Sequence, residues 1–95
     1  MTSKERSNLR SLASALEPVG QVGKNGVGEN MLRSFSDALE ARELIKLTVL
    51  ENSEKTPKET GAELAAALQA EFVAAIGRKV ILYRRSKRDI KHIEY

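Results

Sequence analysis

The stretch of this 95-residue chain best suited to chemistry is QVGKNGVGEN, residues 21 to 30, where Gly23, Lys24, Asn25 and Gly26 form a G-x-x-G unit ahead of a run with helical periodicity. Residues without side chains let a backbone come close to a bound group, and the unpaired N–H groups at the start of the next helix favour an anion there. Lys24 adds a mobile positive charge and Asn25 a polar contact. Two familiar phosphate sites are excluded by spacing. A P-loop needs a hydroxyl residue after its lysine, where this chain has Asn25, and the dinucleotide fingerprint G-x-G-x-x-G finds no match. The same glycines also suit a plain strand-to-helix turn, and the carboxylate of Glu29 would repel a phosphate held too near it.

Little else in the chain can act as a reagent. There is no cysteine, which excludes disulfides and thiolate-held metals, and His92 is the only histidine. Nothing at a useful spacing would orient His92, so it reads as an exposed residue with no special role. Glu40, Glu43, Glu51, Glu54 and Glu63 read as solvated faces, and no serine, histidine and carboxylate converge. The expectation is a non-enzymatic protein with no cofactor, no metal and no small-molecule substrate. No run approaches the roughly 18 apolar residues of a membrane span, and MTSKERSNLR lacks the apolar core of a signal peptide. A cytoplasmic protein that does not engage membranes is therefore expected.

The formal net charge of +3 hides an asymmetry: residues 76 to 95 carry +5 and residues 1 to 75 carry −2. Cations concentrated at one end suit a polyanion partner, and they equally suit a solvated basic tail.

The elements that would hold these residues can be read in order. Thr2 and Glu5 make a capping box, after which Leu9, Leu12, Ala13 and Leu16 keep a helical spacing, giving a first helix over residues 3 to 16. Pro18 and Gly20 end it, and VGQV is a short strand entering the glycine loop. Met31, Leu32, Phe35, Ala38 and Leu39 mark a second helix from about Glu29 to Arg42, followed by a strand in ELIKLTVLEN. Thr56, Pro57 and Glu59 announce a third helix, in which Gly61 costs roughly 1 kcal/mol of propensity and points to tight packing. EFVAAIG and KVILYRR form a closing hairpin around Gly77 and Arg78. The order is α-β-α-β-α-β-β, with the first two strands parallel through a right-handed crossover. Alternation along the strands places Lys46, Thr48, Lys79 and Tyr83 on a partly wet face, where Tyr83 either stacks on a base or fills the sheet edge. Residues beyond about Ser86 lose periodicity, so the chain divides into one domain, 1 to 86, and a mobile basic tail, 87 to 95.

Several segments taken together, LRSLA, P-x-x-Q-V-G-K-N-G, LEARELIKL and IGRKVILYR, resemble the CRM domain, the chloroplast RNA splicing and ribosome maturation module, in its stand-alone bacterial YhbY-like form. The likeness spans about residues 2 to 87. It implies a two-layer α/β fold, a small four-stranded mixed sheet with three helices, similar to the C-terminal domain of a bacterial translation initiation factor. It also implies RNA binding, with precursors of the large ribosomal subunit as partner. Carried over by position, the site is Gly23, Lys24, Asn25 and Gly26, with Arg10, Lys46, Arg78, Lys79 and Arg84 on the family's basic surface. Arg85, Lys87 and Arg88 extend that basic band. Gly28 departs from the family, in which many members place a Thr or Ser helix cap. From another class comes a protein-interaction adaptor, its basic tail on an acidic protein and its glycines only a turn.

Overall fold

Two threonines start two of the three helices. In the computed structural model, which describes all 95 residues, Thr2 and Thr56 accept the N–H groups of Glu5 and Glu59, whose carboxylates return the bond to the threonine N–H groups. These boxes open α1 (Ser3–Ala13) and α3 (Pro57–Leu68), while α2 (Glu29–Arg42) begins after Gly28. Helix α1 is shorter than the periodicity suggests. The chain leaves it through Ser14 with turn-like bonds, yet Leu16 still packs on the same apolar cluster.

Strands β1 (Gln21–Val22), β2 (Leu44–Val49), β3 (Glu71–Ile76) and β4 (Lys79–Tyr83) form one mixed sheet in the order β1-β2-β4-β3. The β1–β2 pair is parallel, as a strand-helix-strand connection requires, and the β2–β4 and β3–β4 pairs are antiparallel. Gly77, at φ +59°, supplies the left-handed residue of the β3–β4 turn.

Register assigns the faces. Ile45, Leu47, Val49, Val80 and Leu82 point to one side and pack with Phe35, Leu39, Leu64 and Leu68 of α2 and α3. Leu44, Ile81 and Tyr83 point to the other and meet Leu9 and Ala13 of α1. The two expected layers are thus the sheet with α2 and α3, and α1 covers part of the opposite face. Beyond α1 that face is wet, carrying Lys46, Thr48 and Lys79. A bulge between Phe72 and Ala74 interrupts β3, and the Arg6 guanidinium of α1 donates to the carbonyls of Phe72 and Val73 there. Gly61 is explained by approach: a Cβ would lie 3.0 Å from the Phe72 ring and 3.1 Å from Val80 Cγ1.

The last residues correct the reading of a mobile tail. They have no regular structure, but they fold back over the domain: Ser86 is buried, Ile93 packs on the α1 cluster, and Tyr95 meets Tyr83 edge-on with ring centroids 4.8 Å apart. Their anchor is Glu43, the residue directly after α2. Far from being a solvated acid, it is fully buried. Its carboxylate accepts the N–H groups of Ser86 and Ile93, each at 2.7 Å, and sits 2.5 Å from Nδ1 of His92. His92 is therefore a structural partner, not an idle surface residue. Burial alone would raise the Glu43 pKa, but the bonds from His92, Ile93 and Ser86 outweigh it and hold the carboxyl below the usual range.

Candidate nucleic-acid interface

Parallel strands end on the same side, so the loops after β1 and β2 lie together. The first of these is the glycine loop. Gly23 to Gly26 form a four-residue turn closed by the Gly26 N–H donating to the Gly23 carbonyl at 3.0 Å, with Lys24 and Asn25 exposed at the tip. Each glycine of the pair has a reason within the fold. Gly26 has φ +69° and open space around it, a conformation that side chains resist, whereas a Cβ on Gly23 would press on Asn52 and Leu50 at 3.3 Å.

Gly28 is different. It is extended, with nothing near its Cβ position, so neither strain nor space demands a glycine. As the N-cap of α2 it offers no side-chain acceptor, and the first-turn N–H groups of α2 go without the partners that Thr2 and Thr56 give α1 and α3. The consequence is a helix start with a positive dipole end and free donors directly after an exposed Lys-Asn tip.

The loop after β2 forms the other wall of a small cavity of about 110 Å³, where Ser53 and Lys55 face Lys24, Asn25 and Gly26. Glu54 and Glu63 line it as well, and Glu63 pairs with Lys55 at 2.9 Å. Those carboxylates favour an anion on the open side of the turn over the cavity interior. Sequence reading missed Ser53 and Lys55, although the parallel pairing it anticipated already placed their loop beside the glycine turn.

The predicted cations divide into two groups. Arg78 and Lys79 lie at the loop end of the sheet: Arg78 donates to the carbonyls of Val49 and Leu50, and Lys79 Nζ donates to Thr48 Oγ1 at 2.8 Å. Lys46 lies two residues from Thr48 on the same half-open face. Arg84, Arg85, Lys87 and Arg88 lie past the opposite end of β4, which is itself about 13 Å long by strand rise. Arg84 is occupied there. Its guanidinium donates to the Leu68 carbonyl, to the Ser36 carbonyl and hydroxyl, and to Glu40 at 3.2 Å, binding α2, α3 and the C-terminal segment together. Glu40 also accepts the Lys87 N–H; that bond, with burial opposing and Arg84 assisting, keeps its carboxyl below the usual range. Arg85, Lys87, Arg88 and Arg10 are exposed. Tyr83 is only 4% exposed and covered by Tyr95, so it fills the sheet and offers no base-stacking surface.

Comparison with known proteins gives the family. The family model for the CRS1 / YhbY (CRM) domain matches residues 1 to 84. The chain belongs to that family. Relatives of this CRM chain include the Bacillus subtilis protein named Probable RNA-binding protein YqeI, 43% identical over 94 residues that make up 99% of this chain and 97% of the relative. A Haemophilus influenzae protein named RNA-binding protein is 32% identical over 87 residues, 92% of this chain and 88% of its own. Among solved structures, the solution structure of the hypothetical protein SAV1595 from Staphylococcus aureus superposes with a TM-score of 0.81 at 41% identity, covering 98% of the CRM chain and 97% of its own. No helix of the CRM chain is long and apolar enough to cross a membrane.

Proposed function

We propose that this CRM chain is a non-enzymatic RNA-binding protein that holds the phosphate backbone of structured RNA at the Gly23–Gly26 turn. The observation that carries the reading is the contrast among the three helices: threonines close two N-termini, and the third stays open behind the exposed Lys24-Asn25 tip. A phosphate there takes peptide N–H donors, the helix dipole and the Lys24 charge together. Lys79 and Lys46 extend the contact over the wet sheet face, and Arg85, Lys87, Arg88 and Arg10 are exposed for a second stretch of backbone. Tyr83, the aromatic on the basic sheet face, is buried beneath Tyr95, so recognition is chiefly by shape and backbone. The RNA we assign is ribosomal RNA in a precursor of the large subunit, in the cytoplasm, where binding one folded arrangement better than its alternatives would assist assembly.

The test is salt-dependent binding to ribosomal RNA fragments by wild type and a Lys24→Ala/Asn25→Ala double variant. Neither side chain bonds within the fold, so the circular dichroism spectrum is expected to stay unchanged. The slope of log affinity against log salt should flatten by roughly 0.7 to 0.9, the share of one neutralised phosphate. An unchanged slope would remove the turn from the interface. In lysates, RNase treatment should release the protein from ribosomal fractions; retention would favour a protein-held adaptor.

A further inference from the structure

The return of the C-terminal segment to Glu43 builds a surface outside the RNA contacts proposed above. Where residues 91 to 94 pass beside α1, they leave an open groove of about 680 Å³. Leu12, Leu16, Leu44 and Ile93 supply its apolar lining, and Arg42, Lys91, His92 and Glu94 complete it. Leu44 belongs to the sealed core, whereas Leu12, turned away from the sheet that Leu9 and Ala13 face, is 48% exposed. The groove is anchored. Its Ile93 wall hangs from the Glu43 carboxylate by the peptide N–H and by the neighbouring His92.

We propose that this groove is a docking site for an acidic segment of another protein, one apolar side chain seated against Leu12, Leu16 and Ile93 and its carboxylates facing Arg42 and Lys91. Charge selects this occupant. Neither Arg42 nor Lys91 takes part in an ion pair, and Glu94 is the one acid lining the groove, so its edge is positive on balance. A second copy of the chain would bring the same positive edge against itself and be repelled. Nucleic acid would find two cations, but the His92 ring is tied to Glu43 and the rest of the floor is aliphatic side chains that bases stack on poorly. An apolar anchor ringed by opposite charge is the usual recipe of a protein contact. The groove opens at the Leu44 end of β2, whereas the Gly23–Gly26 turn lies past the Val49 end, so both sites can be filled at once.

Panning the full chain against a displayed library of random linear peptides tests this, followed by anisotropy with the enriched peptides and by mapping of amide shifts. Enriched sequences should carry Leu, Ile, Met or Phe flanked by Asp or Glu, and should shift the amides of Leu12, Leu16, Arg42 and Ile93. Leu12→Glu, at an exposed position, should weaken binding about tenfold or more, and Arg42→Glu should act in the same direction while Arg42→Lys retains binding. Lys24→Ala should bind the peptides like wild type. The proposal is overturned by a library that enriches nothing, by enrichment of basic sequences, by shifts confined to residues 23 to 26, or by undiminished binding in Leu12→Glu. It is equally overturned by sedimentation showing a dimer that Leu12→Glu dissolves, which would make a second copy the occupant.

Discussion

Replacing Glu43 by alanine should be the most informative perturbation of this fold. The carboxylate is fully buried and serves three donors, the N–H groups of Ser86 and Ile93 and the ring of His92. Removing an acceptor that buried N–H groups depend on costs about 1–3 kcal/mol for each group left unpaired, and more where the lost partner is charged. Taken alone, the two peptide donors would bring the loss to several kcal/mol. The segment has a cheaper way out, however, because it can peel away and hydrate its own donors. What it then forfeits is the partial burial of Ile93, about 1–2 kcal/mol, and the edge-on contact of Tyr95 with Tyr83, about 1 kcal/mol. The expected destabilisation is therefore about 2–3 kcal/mol, the cheaper of the two routes. For a domain of this length that lowers Tm by roughly 8–24 °C and leaves it folded at 25 °C. Urea denaturation gives the total, and amide hydrogen exchange separates the routes: Ser86 and Ile93 should lose protection while Leu47 and Val80 keep theirs. A Glu43→Ala protein within about 1 kcal/mol of wild type, with Ile93 still protected, would refute the claim that this carboxylate holds the C-terminal segment.

Three further outcomes are expected. Glu43 and Glu40 both have pKa values lowered in the folded protein, as do Glu5 and Glu59 in the capping boxes, so their stabilisation is full above the ordinary carboxyl value of 4.5 and fades as pH falls through the depressed values. Urea midpoints from pH 7 to pH 3 should decline below about 4.5, and less steeply in Glu43→Gln. Arg84→Lys cannot span Leu68, Ser36 and Glu40 together, and should cost about 1–3 kcal/mol in urea titrations while leaving the salt slope of RNA binding unchanged. Gly61→Ala gains about 1 kcal/mol of helix propensity but drives a methyl into Phe72 and Val80, an overpacking of about 1–3 kcal/mol. The net should be a loss near 1 kcal/mol in Tm or urea measurements, and a stabilised variant would show that the Phe72 ring simply moves aside.

Where the sequence was informative, the signal was local. Helix α2 runs from Glu29 to Arg42 as its apolar spacing indicates, and the Thr56-Pro57-Glu59 start of α3 is built as its residue types require. The hairpin at Gly77 is equally plain, because the left-handed turn residue is written in the chain. The glycine spacing located the turn at residues 23 to 26, and strand parity placed Lys46, Thr48 and Lys79 on one face. What stayed hidden depends on contacts between distant residues. A glutamate after a helix looks like any surface acid until residues 86, 92 and 93 come back to it. Arg84 likewise reads as one more cation in a basic run, and only the packing of α2 and α3 shows its donors to be engaged. The β3 bulge left no mark either, since Phe-Val-Ala alternates no differently from its neighbours.

That bulge has a bearing on behaviour in concentrated solution. β3 lies at the margin of the sheet, where an unbroken row of peptide groups would invite a strand from another molecule. The extra residue breaks the repeat such a strand must match, and the Arg6 guanidinium occupies the Phe72 and Val73 carbonyls at the bulge. The fastening of the first helix thus doubles as a guard against aggregation.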